Sequence, residues 1–279
     1  MILNTDTKKW ESPYWHPAVT VDAVVVGYDD LTKALSILLV ERGVEPFKGS
    51  WALPGGFISQ QDESAEAAVL RELREETQVE GVYLKQFQTF SRIDRDPRPD
   101  ERVITIAFYA LVKQSRFMKI KGGDDAKNAK WFPLEQLPDL AFDHQEIIEA
   151  ALKRLRRDIH FEPIGFQLLD KEFTLPQLHN IYRAILLPSE TTIESMCAEE
   201  LDDEPERRKI DTSVRAPQEL KNKSDMLNDR RNFLKKMLKE GYIRDTGKKV
   251  TGVPNRPPSL YTFNEDSFDD AEEKMRTKL

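Results

Sequence analysis

Along the chain, apolar positions recur with two different periods. Val19–Val26 and Leu35–Val40 are short, nearly continuous apolar runs, and Tyr28-Asp29-Asp30-Leu31-Thr32 between them is a turn-forming cluster. This pattern predicts two buried strands joined as a hairpin. Ser64–Thr77 contains no Gly or Pro and places Ala65, Ala68, Val69 and Leu73 on one side, the signature of an amphipathic helix. Val82–Phe90 and Val103–Val112 are further strands, the second rich in β-branched and aromatic residues. Lys130-Trp131-Phe132 is a short strand stopped by Pro133. His144–Arg157 returns to helical spacing through Ile147, Ile148, Ala151, Leu152 and Leu155. Strands and helices mixed in this way predict an α/β sandwich.

The texture changes after about Phe161. Phe173–Leu187 is predicted as a helix, with Leu175, Leu178, Ile181, Tyr182, Ile185 and Leu186 inward. Residues 190–206 carry eight acidic residues and no basic one, and 188–226 as a whole has the composition of a solvated insertion or linker. Asn228–Glu240 is predicted as a second helix, with Phe233, Met237 and Leu238 apolar and Gly241 as its stop. Tyr242-Ile243 and Ser259–Phe263 are predicted strands around a loop rich in Gly, Lys, Pro and Arg. Helix, helix, β-hairpin is the order of a winged helix-turn-helix. The expected organisation is one α/β domain over 1–165, a winged domain over 166–270 containing the charged insertion, and a tail over 271–279.

Composition narrows the function. With 279 residues and 39% hydrophobic positions, the chain can bury two cores but has no apolar run near the ~20 residues of a spanning helix. Met1–Trp15 lacks the apolar stretch of a secretory signal. The single cysteine, Cys197, excludes an internal disulfide and a Cys-based zinc site, so a cytoplasmic protein is expected. The net charge of −7 excludes a globally basic nucleic-acid coat. From Asn228 to Arg256, however, nine Lys/Arg face three Asp/Glu, a local surplus of the kind that draws phosphate. Arg230, Arg231, Asn232, Lys235 and Lys236 on the second helix, with Lys248, Lys249 and Arg256 in the wing, are the candidate contacts to double-stranded DNA. A solvated basic face on a small interaction domain is the plainer alternative.

The most informative string is Gly55-Gly56-Phe57, then Glu63, then Arg71-Glu72-Leu73-Arg74-Glu75-Glu76-Thr77. Glu72, Glu75 and Glu76 at i, i+3 and i+4 share one helical face about 5–6 Å apart. Such crowding is unfavourable alone, and a hard divalent cation, Mg²⁺ or Mn²⁺, makes it favourable by taking carboxylate and phosphate oxygens. A solvated charged face is again the alternative. The Gly-Gly turn upstream, the reach of Glu63 to Arg71 and the apolar opposite face favour the metal.

This pattern resembles the Nudix box: Gly, five residues, Glu, seven residues, Arg-Glu-apolar-any-Glu-Glu-any-Gly-apolar. Glu63, Arg71, Glu72, Leu73, Glu75, Glu76 and Val79 match. The chain departs from it twice: six residues separate Gly56 from Glu63, and Gln78 stands where the family has Gly. The resemblance implies an N-terminal Nudix α/β/α sandwich in which Glu72, Glu75 and Glu76 carry metal. It also implies that Glu75, Glu76, Arg71 and Glu63 form the catalytic set, with Arg71 and Glu63 bracing the helix. A Cβ at position 78 makes the left-handed turn after the helix costly.

The resemblance extends to Trp15–Asp22, Arg42–Phe57, Arg95-Asp96-Pro97-Arg98 and Leu140-Ala141-Phe142-Asp143-His144. These segments resemble the ADP-ribose branch of the family, which includes the Nudix-related transcriptional regulators of NAD metabolism with their C-terminal winged helix. An ADP-ribose-responsive, DNA-binding regulator acting as a homodimer is therefore expected. Arg42, Lys48, Gly55, Gly56, Arg98 and Arg102 are the candidate ligand contacts, Arg through its planar fork. Phe47, Trp51 or Phe90 could stack a base, though core packing is the more ordinary role for each. His144 reads as a helix-start residue rather than a base, and Asp124 and Asp125 as weak candidates for a base. Two rival functions are a working Mg²⁺-dependent ADP-ribose pyrophosphohydrolase with an accessory tail, and an effector-sensing regulator of sugar catabolism.

Overall fold

In a computed structural model of the chain, the residues described are 2–3, 10–11, 14–59, 63–98, 101–117, 126–159, 162–187, 229–252 and 256–264. The expected insertion 188–226, the tail 271–279, Asp124, Asp125 and Cys197 all lie outside them.

The chain opens with β1 (Ile2–Leu3) paired to β2 (Trp10–Glu11). The main body follows as β3 (Ala18–Asp29), β4 (Ala34–Arg42), β5 (Trp51–Ala52), β6 (Gly55–Phe57), α1 (Ala65–Thr77), β7 (Leu84–Phe90), β8 (Val103–Lys113), β9 (Ala126–Pro133) and α2 (His144–Asp158). Strands β3 and β4 form the expected hairpin, turning at Asp30–Lys33. The seven-stranded sheet runs β5-β4-β3-β8-β7, with β6 paired to β3 and β9 to β4. Strand β8 pairs with β3 in parallel, and the other pairings are antiparallel.

Because side chains alternate across a strand, β3 feeds two cores. Val21, Ala23 and Val25 pack with Ala68, Val69 and Leu73 of α1. Val24, Val26 and Tyr28 pack on the other face, with Ile147, Ile148 and Ala151 of α2. Strand β8 divides in the same way, Phe108, Ala110 and Val112 on the α1 side and Ala107, Tyr109 and Leu111 on the α2 side. A continuous apolar run is therefore a strand covered on both faces, and the sandwich has the expected α/β/α layering.

Beyond a 3₁₀ turn at Ile164–Leu168 come β10 (Glu172–Thr174), α3 (Leu175–Leu186), α4 (Arg230–Lys239), β11 (Ile243–Lys249) and β12 (Ser259–Phe263). The strands form a sheet in the order β10-β12-β11, which with α3 and α4 makes the winged helix. Some boundaries differ from the expectation: the short strand predicted at Lys130–Phe132 runs from Ala126 through Pro133, β7 starts at Leu84 rather than Val82, and α4 spans Arg230–Lys239 rather than Asn228–Glu240. The start of the predicted first helix is strand: Thr174 is extended, its N–H donates to Gln177 Oε1 at 2.8 Å, and Pro176 sits in the first helical turn, where it costs no bond. Strand β11 runs on through Lys248 and Lys249 because Lys249 pairs with Ser259 across an irregularity at Gly247. Helix α4 buries Phe233 and Met237, but Leu238 is 45% exposed. Gly241, at φ 75°, ends the helix with the paired bonds Tyr242 N–H to the Met237 carbonyl and Gly241 N–H to the Leu238 carbonyl.

Candidate functional site

Helix α1 begins at Ser64, whose Oγ accepts the Ala67 N–H at 3.2 Å, and ends at Gln78, which is left-handed at φ 61°, ψ 19°. Its apolar stripe fixes the helix against the sheet and turns the acidic face toward β6. There the Gly55 N–H donates to Glu76 Oε2 at 2.9 Å. Gly55 is needed for this close packing, since a Cβ on it would stand 2.2 Å from the Val21 carbonyl oxygen of β3, whereas a Cβ on Gly56 would meet only the flexible end of Glu72, 2.3 Å away. Arg71 is clasped on several sides. Its guanidinium donates to both oxygens of Glu63 at 2.8 and 3.1 Å, to Glu72 Oε1 at 2.8 Å, to Glu75 Oε2 at 3.2 Å and to the Phe57 carbonyl at 3.1 Å. Arg71 and Glu63 thus tie the helix to the strand before it.

Burial pushes the Glu76 carboxyl up to about 8 against the opposing Gly55 hydrogen bond, with the Glu72 and Asp22 carboxylates adding to the rise. Burial also raises Glu72, which Arg71 partly offsets. Glu72, Glu75 and Glu76 line one cleft of about 350 Å³ together with Arg42, Gly55 and Gly56. Among the described residues no three His, Cys, Asp or Glu side chains converge on one ligating point. Arg71 instead draws Glu72 and Glu75 toward itself, and Glu75 stays about half exposed. The donor chemistry still suits a hard divalent cation. All the donors are carboxylate oxygens, and the buried Glu76 faces like charges that a cation would relieve.

A second lobe of about 170 Å³ adjoins the first through Arg42, Leu53, Gly55, Gly56 and Phe57, and reaches Arg95, Asp96, Arg98, Phe142 and His144. Arg42 stands at the junction. Its Nε donates to the Pro46 carbonyl at 2.8 Å and its guanidinium lies 4.7 Å over the Phe142 ring, while burial lowers its pKa. Arg98 is held by Asp96 through two bonds of 2.9 and 2.8 Å and lies 5.3 Å over the Phe57 ring. The expected contacts Arg42, Gly55, Gly56 and Arg98 therefore meet in one place. Lys48 and Arg102 do not. Lys48 is exposed outside the lining, and Arg102 donates to the Ser91 carbonyl at 2.6 Å. Of the three aromatics considered, Trp51 packs on Phe132 and Phe90 on Phe87 as core, while Phe47, 40% exposed, meets Phe142 edge-on.

The floor of this lobe was not foreseen. Arg95 forms a buried bidentate pair with Asp143 at 2.9 and 2.8 Å, and Asp22 stands 3.7 Å away. His144 is buried at the start of α2, and its Nδ1 accepts the Leu53 N–H at 2.8 Å. Its proton therefore sits on Nε2, 3.6 Å from Asp22 Oδ1, and burial lowers its pKa, keeping it neutral. The expectation that His144 is structural agrees with this geometry. The strings Arg95-Asp96 and Phe142-Asp143-His144 were visible in the sequence, but their meeting across 48 positions with β3 was not.

On the winged helix, Arg230, Arg231, Asn232 and Lys235 are exposed along α4 and Lys236 is half-buried. Asp229 caps the helix by accepting the Arg231 N–H at 2.8 Å. Lys248 and Lys249 are exposed at the end of β11, Lys248 paired with Glu172 at 2.5 Å, and Arg256 is exposed where the chain re-enters β12. All eight candidate contacts belong to two neighbouring elements of the small domain, α4 and the wing.

A mixed sheet between two helices, a Gly-Gly strand (not the turn expected) against an acidic helix and a basic winged helix define a two-domain nucleotide-site and nucleic-acid-binding architecture. The chain belongs to the Nudix family: the NUDIX domain matches residues 16–155, and the NrtR DNA-binding winged helix domain matches residues 223–263. It is 34% identical over 179 residues to the ADPR responsive transcriptional repressor NtrR of Acinetobacter baylyi, covering 63% of this chain and 69% of that protein. It is 43% identical over 153 residues to the ADP-ribose pyrophosphatase of Methanocaldococcus jannaschii, covering 55% of this chain and 83% of that one. In structure it is similar to Shewanella oneidensis NrtR complexed with a 27mer DNA, with a TM-score of 0.61 and 30% identity over 90% of this chain and 95% of the other.

Proposed function

We propose that this protein is an ADP-ribose-responsive, DNA-binding transcriptional repressor of NAD and pyridine-nucleotide genes. The observation that carries the reading is the presence, in one chain, of a Nudix cleft and a basic winged helix of the NrtR type. It is supported by likeness along most of the chain to a repressor named as ADPR-responsive and to a NrtR crystallised on DNA. The lobed cleft is shaped for an extended anion. Arg42 stands at the junction of its lobes, where it would meet a diphosphate, and the Gly55-Gly56 backbone lets the ligand approach closely. The exposed cations of α4 and the wing would take phosphates of the duplex. A homodimer would set two wings against two half-sites related by the protein's two-fold. No helix among the described residues is long and apolar enough to cross a membrane.

Mg²⁺ or Mn²⁺, when bound by Glu72, Glu75 and Glu76, would neutralise diphosphate charge and supply the electrophilic assistance that hydrolysis needs. Arg71 orients Glu72 and Glu75, and Glu76 is placed to hold or release a proton beside the Gly55 amide. A second reading, a working ADP-ribose pyrophosphohydrolase, draws on these intact carboxylates and on the 43% identity to a pyrophosphatase.

The deciding experiment is titration of a fluorescent duplex from the gene's own upstream region, with and without saturating ADP-ribose. Operator affinity that ADP-ribose leaves unchanged refutes the repressor reading. Incubation with ADP-ribose and Mg²⁺, using Glu76→Gln as control, tests the hydrolase: AMP released by the wild type and absent with the variant supports it, and no AMP from the wild type rejects it.

A further inference from the structure

We propose that α2 carries ligand occupancy from the cleft to the winged helix; this rests on the regulatory reading above. Its first turn is gripped by the cleft loop and its last turn is fastened to α3. At the first turn, Asp143 holds Arg95 through two bonds of 2.9 and 2.8 Å, and Glu146 holds Arg92 at 2.7 Å. The same loop supplies Arg95, Asp96 and Arg98 to the cleft lining, and α2 supplies His144. At the last turn, Arg156 Nε donates to the Ile185 carbonyl of α3 at 3.1 Å. The helix between spans 15 residues, about 22 Å at 1.5 Å per residue.

Packing continues the connection. Leu152, Leu155 and Ile159 belong to one apolar cluster with Leu178, Ile181 and Ile185 of α3 and with Phe233 and Met237 of α4. Phe233 meets His179 and Tyr182 of α3 edge-on at 5.3 and 5.2 Å. Three helices thus stand in contact from the cleft to the helix that bears the candidate DNA contacts. Interiors packed in this way move as units rather than deforming gradually.

The cleft end is built to respond to an anion. Arg95 is already shared between Asp143 and, at 3.7 Å, Asp22. A ligand diphosphate in this lobe competes with Asp143 for the guanidinium, which loosens or re-aims the first turn of α2. Because α2 is continuous, the displacement reaches Arg156 and α3. Ligand can bias the DNA-binding arrangement only by the difference in its affinity for the two positions of α2, and DNA must bias ligand binding by the same factor.

The test uses the full chain and measures the coupling factor, operator affinity without ADP-ribose divided by that with it at saturation. ADP-ribose affinity is measured separately by calorimetry. Arg156→Met keeps a long apolar side chain but cannot donate to Ile185. Glu146→Gln weakens the grip of the loop at an exposed position. Lys153→Met, on the exposed side of the same helix, is the control. Allosteric factors are typically about 5- to 150-fold. The expectation is that Arg156→Met and Glu146→Gln each reduce the factor by about fivefold or more, with ligand-free operator affinity and ADP-ribose affinity within about threefold of wild type. Lys153→Met should leave the factor unchanged. A coupled wild type whose factor survives both substitutions, or is lost equally in the control, overturns the role of α2 while leaving the regulatory reading intact. If Arg156→Met also loses ligand-free operator affinity, Glu146→Gln decides alone. An uncoupled wild type overturns both.

Discussion

Replacing Gln78 by Gly should make the protein more stable. Gln78 caps α1 at φ 61°, ψ 19°, donates its N–H to the Arg74 carbonyl at 3.0 Å, and exposes its side chain. A residue with a Cβ spends about 1–2 kcal/mol to sit in the left-handed region. Glycine removes that strain but enlarges the unfolded ensemble, giving back about 0.5–1 kcal/mol. The difference, about 0–1.5 kcal/mol and centred near 0.75 kcal/mol in favour of Gln78→Gly, should raise the melting temperature of the α/β domain by about 2–3 °C. The cap bond is a backbone bond and survives the change, so no compensating loss is expected. Thermal melts of wild type, Gln78→Gly and Gln78→Ala are the assay. Ala keeps the Cβ and should sit near wild type. If Gly lowers the melting temperature relative to both Gln and Ala, the left-handed cap carries no strain and the reasoning is wrong.

Three further outcomes follow from the geometry. Gly55→Ala puts a Cβ 2.2 Å from the Val21 carbonyl oxygen, a strand backbone atom that cannot swing aside, and overpacking of this kind costs about 1–3 kcal/mol. The variant should melt lower and lose ADP-ribose affinity in calorimetry, and unchanged affinity would show that the Gly-Gly strand is not part of the site. Phe233→Ala empties a fully buried position between His179 and Tyr182 and should cost about 3–5 kcal/mol, abolishing duplex binding while the Nudix cleft still takes ADP-ribose. Retained duplex affinity would remove α4 from the DNA-binding surface. Asp158 resists protonation: burial alone would raise its pKa, but Tyr109, Lys85 and Arg154 hold it below the ordinary value. A depressed carboxylate contributes stability above its unfolded pKa and loses it as pH falls through the folded value. Wild type should therefore lose stability below about pH 4, near the unfolded Asp value, and Asp158→Asn should show a shallower acid dependence; identical acid unfolding profiles would count against this.

The local pattern of residues was sufficient for much of the architecture. Continuous apolar runs found the β3–β4 hairpin and period-3.6 patterns found α1, α2 and α4, because burial of two faces or of one is written locally. The i, i+3, i+4 spacing of Glu72, Glu75 and Glu76 gave a shared helical face, and the spacing of Glu63 from Arg71 agreed with the bond between them. Gln78 stands where the Nudix pattern has glycine, and the backbone there is left-handed nonetheless. These features depend on neighbours a few residues away.

Only the folded chain could place the rest. Strand β10 was hidden inside a helical pattern because its partner, β12, lies about ninety residues later. Lys48 and Arg102 have the right chemistry but stand outside the cleft, while Arg95, Asp22 and His144, from three separate segments, line it, with Asp143 holding Arg95 from behind. A charged side chain cannot announce its partner from the sequence when that partner is decided by sheet order. The path from cleft to winged helix through α2 is of the same kind. It exists because one core, assembled from residues far apart in sequence, closes around both ends of a single rigid helix.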